Sequence, residues 1–587
     1  MTLRWSLLLW LAICPAALAG AEIRVLSANG SGEGLGDRTP ATPVGGNPGT
    51  SLGEQRHIAF EYAASLWSAT LGNRVPITIR AEFTDLDCSG GTAVLGATAP
   101  SALYENNRYP AALANERAGR DLDPGREEID AEFNARLGAS DCAVSSWYTG
   151  LDNAPPPGST DLVSVFLHEL VHGLGFIKSV TAFRDRAMDD ASGLLLSQLG
   201  SADYDAAVRR PLGVSWVGPS VRAAKDAFLD QTDGLLRLPG GQVYPVARAR
   251  FGPGHVSVTA PLVLATAADG GTGHGACEPL APVSGALVLA ERGLRSDGGL
   301  LCFVADRALN AQAAGAVGLL VRHGQPGVGP MSYTGDGGPD LTIPVWGISN
   351  EDGAAVESWL ATTANSTVSV DADGRRAGEN LAGDVLLYTP SAYSEGSSVG
   401  HWDSSATPDL LMEPRINPNL PRNLDITPAA LRDLGWSPPS GLSIGATKLG
   451  AAEYSPGAAS RFIVQVANRG SGPAAEVVLD AEADSSLQLE SSSLACDAGF
   501  PCSLGSLGPG EVKTAIASYA LRGEAPRQVA VTFRISGGTP PPADKDSSIT
   551  IVAQQASSCS TSGGGSGGAL GLCLVLGWAA GRRLRSG

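Results

Sequence analysis

Positive charge is scarce in this chain. Over 587 residues, 41 Lys and Arg stand against 59 Asp and Glu, for a net charge of −18. No basic surface is available to displace counterions from phosphates, so nucleic acid is excluded as an expected partner. Charged residues of either sign make up only 17%, and aromatic residues only 6%. Methionine occurs four times and histidine seven times, so each instance of either stands out. Against these shortages stand 75 Gly and 39 Pro, the composition of a loop-rich, β-rich chain. The length exceeds what one hydrophobic core organises, so several domains are expected.

Long apolar runs are also missing from the two ends. Met1 to Ala19 holds Arg4, an apolar run from Leu7 to Ile13 and an Ala17-Leu18-Ala19 ending. That pattern reads as a secretory signal peptide over 1–19 rather than a membrane helix. A lipoprotein reading at Leu11-Ala12-Ile13-Cys14 is weaker, because Ile13 is bulky where a small residue is wanted. At the other end, a Gly-rich stalk from Ser562 to Gly568 precedes an apolar stretch, Ala569 to Ala580, and then Arg582, Arg583 and Arg585. A bilayer span needs about 17–25 residues. The stretch is short of that, and 556–587 resembles a bacterial sorting tail processed by a membrane protease, with a tail anchor as the alternative. The expected location is therefore secreted, extracellular or at a bacterial cell surface.

Cysteine spacing points the same way. Apart from Cys14 and the tail residues Cys559 and Cys573, six remain, as Cys88/Cys142, Cys277/Cys302 and Cys496/Cys502. None has C-x-x-C spacing, which argues against thiolate metal sites, and each pair falls within one inferred domain. Three local disulfides are expected.

The most constraining run is His168-Glu169-Leu170-Val171-His172, followed by Gly173-Leu174-Gly175-Phe176. Histidines four apart on a helix share a face, so both imidazoles can grip one Zn²⁺ with Glu169 beside it. Such a glutamate can take a proton from a water that the metal has already acidified. The local pattern supports a helix: Ser159, Thr160 or Asp161 can cap its start, Leu162, Val165, Phe166 and Leu170 supply an apolar face, and Gly173 and Gly175 offer a stop. Upstream, a strand Ile23 to Leu26, an amphipathic helix from about His57 to Thr70, an alternating strand Val75 to Phe83 and a strand Glu128 to Asn134 complete an α/β unit.

The metal is then one ligand short. The extended motif H-E-x-x-H-x-x-G-x-x-H wants a third histidine where this chain has Lys178, and an ammonium has no lone pair to offer. Asp185, Asp189 and Asp190 are acidic candidates, and His255 and His323 are histidine alternatives. His401 stands out, in Gly400-His401-Trp402 followed at a distance by Leu411-Met412-Glu413-Pro414. Here the chain resembles the leishmanolysin-like branch of the metzincin metalloproteases, whose third histidine follows a long insertion in an H-W-x-x-x-x-x-x-x-x-L-M-x-P setting. The resemblance implies that His168, His172 and His401 bind zinc, that Glu169 is the general base and that Met412 forms the turn beneath the metal. It also implies that Thr427 to Trp436 is the closing helix. Some relatives carry a tyrosine two residues past that methionine; here Pro414 stands there.

Between the two halves, Ser284 to Gly293, Leu301 to Val304, a helical Ala308 to Ala316, Val317 to Val321 and Leu341 to Ser349 resemble a protease-associated domain. From Leu442 to Ala553, short alternating segments such as Arg461 to Asn468 and Val529 to Ile535 read as a β-sandwich with a spacer or adhesive role. The expected architecture is α+β multidomain. A metzincin-like protease domain covers 20–255 and 376–440, an inserted α/β domain 256–375, and an all-β sandwich 441–555. The expected function is a zinc endopeptidase acting on protein or peptide substrates. The competing reading is a catalytically silent surface adhesin with structural zinc.

Overall fold

The computed structural model describes residues 23–555, apart from short internal stretches of which 270–273, 294–301, 334–339, 523–527 and 539–547 are the longest. The expected signal peptide, His255 and the C-terminal tail lie outside the described residues. Among the described residues, no helix is long and apolar enough to cross a membrane.

The first domain is built on a four-stranded sheet in the order Ile23–Ser27, Ile77–Thr84, Ile129–Asn134, Gly96–Pro100. The first three strands run parallel, and Gly96–Pro100 returns antiparallel along the edge. Ile77, Ile79, Ala81 and Phe83 alternate inward along the second strand. Two helices pack on this apolar face: Leu52–Leu71, and Leu162–Gly173, which carries the histidine motif. Phe60, Phe133 and Phe166 stack between them, with Phe60 and Phe166 centroids 4.3 Å apart and Phe60 and Phe133 4.5 Å apart.

A second four-stranded sheet, in the order Leu194–Leu195, Ala187–Asp189, Val214–Trp216, Val385–Leu386, follows the motif helix. Its last strand comes from far down the chain, with Ser215 opposite Leu386 and Trp216 opposite Val385. The polypeptide leaves the domain after Asp230 and re-enters near Ala377, whose N–H donates to the Asp230 carbonyl at 3.1 Å. The domain is therefore interrupted, and its parts are rejoined by strand pairing.

The interrupting module is a closed barrel of seven strands. It begins earlier than the sequence suggested. Asp233–Arg237 and Val243–Arg248 form a hairpin within the barrel, pairing with Thr367–Ala372 on one side and Val345–Ile348 on the other. The expected boundary at 255/256 is thus displaced to about 232. The physical reason is that a lone hairpin closing over Gly240 and Gly241 suits either domain. Only the long-range pairings that shut the barrel assign it. The helix expected over Ala308 to Ala316 starts sooner, at Val304, and runs to Ala313.

The C-terminal domain is a sandwich. One sheet contains Leu442–Leu449, Ser460–Asn468, Val512–Leu521 and Leu487–Leu494; the other contains Glu453–Tyr454, Ser548–Gln555, Gln528–Ser536, Ala474–Ala483 and Cys502–Leu507. The three expected disulfides, Cys88–Cys142, Cys277–Cys302 and Cys496–Cys502, are all formed.

Candidate metal centre

The motif helix starts where its chemistry dictates. Asp161 is the N-cap, and its carboxylate accepts from the Ser164 N–H at 2.8 Å. Arg422, from beyond the insertion, donates to the same carboxylate at 2.6 Å and to the Ser164 hydroxyl at 2.6 Å. A carboxylate cap of this kind stabilises a helix start by about 1 kcal/mol, and the guanidinium fixes it to the second half of the domain. The helix ends at Gly173, and Gly175 turns the chain away with φ of +116°.

His168 and His172 lie on one face of that helix, and His401 comes to meet them. The three side chains are buried, and one nitrogen of each falls within 4.8 Å of the others. His168 Nε2 and His401 Nε2 are 3.2 Å apart. The other nitrogen of every ring is taken: Nδ1 of His168 donates to the Leu411 carbonyl at 2.7 Å, Nδ1 of His172 to the Phe176 carbonyl at 2.9 Å, and Nδ1 of His401 to the Ser397 carbonyl at 2.8 Å. A carbonyl accepts only, so each Nδ1 carries the proton and each Nε2 is left with a bare lone pair. Three bare lone pairs facing one another in a buried site repel unless a cation lies between them. Tetrahedral ligands at a Zn–N length of about 2.05 Å stand about 3.3 Å apart, close to the observed approach. The donor set fits zinc in its chemistry, and the His168–His401 approach fits its span.

Burial also keeps these imidazoles neutral, as ligands must be. Desolvation pushes His168 down to about 3, helped by His172, and pushes His172 down to about 4. His401 is driven well below its ordinary value by burial and by the two neighbouring rings.

Glu169 is buried beside the histidines, against the edge strand. A Cβ added at Gly96 would fall 2.9 Å from Glu169 Cγ, so only glycine lets that strand lie so close. Burial pushes the Glu169 carboxyl up to about 8. The neighbouring Thr98 hydroxyl favours its anion, but it makes no hydrogen bond of good geometry and counts for little. A dication in the histidine cage would favour the carboxylate strongly, and a carboxyl poised in this range suits proton transfer.

The backbone of 411–412 ties the two halves of the site together. Met412 is fully buried, and its carbonyl accepts from the Trp402 N–H at 2.8 Å, one residue past His401. Trp402 packs on Phe176 at 4.9 Å and on Trp216 at 5.8 Å, joining the exit of the motif helix to the second sheet. Leu411, whose carbonyl holds His168, is itself held through its N–H by the Asp425 carboxylate at 2.5 Å. Asp425 also accepts from the N–H and hydroxyl of Thr427, at 2.9 and 2.7 Å, at the start of the closing helix Thr427–Leu434.

Lys178 contributes no ligand, and Asp185, Asp189 and Asp190 have other partners. Asp185 pairs with Arg108, Asp189 with Arg210, and Asp190 accepts from Ser215. His323 is buried in the barrel against Arg292. Reading by motif missed the Ser397, Phe176 and Leu411 carbonyls, because backbone acceptors leave no mark on sequence. It also missed Asp425. The run Asp425-Ile426-Thr427 ahead of a helix was the available signal.

A family model described as PA domain matches residues 258–356. That range covers the barrel strands Val258–Leu264, Leu287–Glu291, Gly318–Arg322 and Val345–Ile348. No curated protein matches the chain. Among solved structures, the chain is similar to an aminopeptidase from Aneurinibacillus sp. strain AM-1, with 21% identity over 24% of this chain and 30% of that one and a TM-score of 0.18. It is similar to BSAP, a zinc aminopeptidase from Bacillus subtilis, with 25% identity over 26% and 35% of the two chains and a TM-score of 0.17. A peptidase M28 precursor from Shewanella amazonensis SB2B gives 18% identity over 24% and 34%, with a TM-score of 0.18. The chain thus spans about a third of the length of these proteins, and likenesses of this size carry no argument about activity. The chain is a multidomain α/β protein that contains a PA domain.

Proposed function

We propose that this chain is a zinc-dependent endopeptidase, secreted or displayed at a bacterial surface, that hydrolyses peptide bonds in protein or peptide substrates. The observation that carries the reading is the set of three Nε2 lone pairs, each fixed by its own Nδ1–H to a backbone carbonyl, with Glu169 buried beside them. His168, His172 and His401 would hold the metal. Zinc bound by three protein ligands supplies a Lewis acid and brings the pKa of the water in its fourth position to near 7. Three histidine ligands leave a position open, whereas structural zinc sites are closed by four protein ligands; this favours catalysis over the silent adhesin.

Glu169 takes the proton from the attacking water on its carboxylate and later delivers it to the leaving amine nitrogen. Gly96–Pro100 is an edge strand beside Glu169, with no strand beyond it among the described residues. An extended peptide can add to such an edge and run past the site in both directions, which supports internal cleavage. Met412 serves the site through its backbone, anchoring Trp402 and hence His401. The barrel interrupts the domain between the two sets of ligands, and we assign it the task of restricting access.

Metal analysis combined with casein hydrolysis by wild type and Glu169→Ala tests the proposal. One zinc per chain and cleavage that Glu169→Ala abolishes are expected. A wild type that binds one zinc and cleaves no member of a peptide library refutes it.

A further inference from the structure

The extended motif would put a histidine at the position of Lys178, and the structure shows what the lysine does instead. Its Nζ donates to Tyr393 Oη at 2.6 Å and to the Glu395 carbonyl, and lies 3.3 Å from the Glu395 carboxylate. The ammonium also sits 4.8 Å from the centroid of the Tyr393 ring, against which the Arg209 guanidinium packs at 4.7 Å. All of these acceptors belong to the segment that leads into His401.

That segment is a small hydrogen-bonded turn. The Ser394 carbonyl accepts from the N–H groups of Ser397 at 3.2 Å and Ser398 at 2.8 Å, and the Ser398 hydroxyl accepts from the Ser394 N–H at 2.9 Å. The Ser397 carbonyl then accepts from His401 Nδ1 at 2.8 Å. A hydrogen-bonded turn thus separates the groups that Lys178 holds from the carbonyl that orients the distant histidine.

Resting on the zinc reading above, we propose that Lys178 is a positioning residue for the third metal ligand: it fastens the 393–398 turn to the exit of the motif helix, so that the Ser397 carbonyl sets the tautomer and angle of His401. In the extended motif the third histidine is placed by the chain that directly follows the helix. Here that ligand arrives from residue 401, and Lys178 supplies the connection that local sequence no longer provides. The ion pair with the exposed Glu395 carboxylate contributes little by itself. The contacts to the half-buried Tyr393 phenol and to the Glu395 carbonyl carry the effect.

The test uses the full chain, metal-stripped and reloaded with Co²⁺ or titrated with zinc against a chelator. Outer partners of metal-bound histidines are typically worth about 10–100-fold in affinity. Lys178→Met is expected to weaken zinc binding about tenfold and to alter the visible Co²⁺ spectrum, while the metal-free protein keeps its wild-type circular dichroism. Lys178→Arg should restore much of the affinity. Should Lys178→Met fold poorly, Tyr393→Phe removes a single acceptor and is expected to weaken zinc binding by a smaller factor in the same direction. Wild-type zinc affinity and an unchanged Co²⁺ spectrum in Lys178→Met, or in Tyr393→Phe if that variant stands in for it, overturn the positioning role and leave the zinc reading intact. A wild type that takes up neither metal at the histidines overturns both.

Discussion

Gly96→Ala is the sharpest probe of whether Glu169 acts where the structure puts it. Alanine suits an extended strand, and Gly96 needs no positive φ, so the backbone itself does not resist the change. The obstacle is Glu169. The new Cβ would fall 2.9 Å from its Cγ and Oε1 and 3.0 Å from its Cδ, where ordinary contacts begin near 3.4 Å. Relief requires about 0.5–1 Å of movement by a buried carboxylate or by the edge strand that flanks it. Misplacing a catalytic group by about 1 Å can cost about 10²-fold in rate, equivalent to about 2.7 kcal/mol of transition-state stabilisation. The expected outcome is a fall of about 10–100-fold in kcat/KM with one zinc still bound per chain, because the atoms nearest the added Cβ all belong to Glu169 and not to a histidine. Peptide hydrolysis measured alongside metal content checks both halves. Full activity in Gly96→Ala would show that Glu169 is not the group moving the proton, or that the edge strand does not confine it.

Asp425→Ala removes the acceptor for the Leu411 N–H and the cap of Thr427 together. It should lower stability by about 2–3 kcal/mol in urea unfolding and weaken zinc about tenfold by freeing the carbonyl that holds His168. Glu413 is pushed up to about 9 by burial, so its native carboxyl keeps its proton across the pH range in which the unfolded chain releases it, near 4.3. The folded state then binds the extra proton, and the stability due to this group is full below about pH 4 and lost as pH rises towards 9. Glu413→Gln should therefore stabilise by about 1–2 kcal/mol at pH 8 and by almost nothing at pH 4, read from urea midpoints at the two values. Gly445→Val places a side chain where a Cβ alone would lie 2.4 Å from the Ala69 nitrogen; thermal unfolding should begin earlier, with a loss of at least about 2–3 kcal/mol.

What could be read from residues alone was the half of the site built by local spacing. His168, Glu169 and His172 belong to one helix whose cap, face and stop all lie within a few residues, so periodicity suffices. The other half depends on chain reversal. His401 and Met412 were reached through the resemblance, but what fixes His401, the Ser397 carbonyl, Met412 holding Trp402 and Trp402 packing on Phe176, follows from no spacing. The edge strand Gly96–Pro100 was equally silent. It is short, its burial alternates weakly, and it earns its place by pairing with Ile129–Asn134. The start of the barrel was misplaced for the same reason, since hairpin residues do not name the sheet they join.

The C-terminal sandwich shows the same dependence on long-range packing, and it overturns the amphipathic reading of the first helix. Every residue of the first helix from Ile58 to Leu71 is buried, including Ser65, Ser68 and Thr70. A helix apolar on one stripe has one neighbour, whereas one hidden all round must be covered on both sides. The sheet and motif helix cover one side, and the strand Leu442–Leu449 covers the other, with Gly445 lying directly on the helix backbone at Ser65 and Ala69. Correspondingly, every residue of that strand is buried, one face inside the sandwich and the other against the first domain. Arg469 completes the seam: its buried guanidinium donates to the Thr70 hydroxyl at 2.6 Å and to the Asn423 carbonyl at 3.2 Å, two residues before Asp425. From Asp425 the connection runs through the Leu411 backbone to His168. A spacer hung from the end of the domain would leave Leu449, Ile463 and Ile516 facing water. Instead they join the core of the first domain, so the sandwich acts as an outer wall of the domain that carries the three histidines.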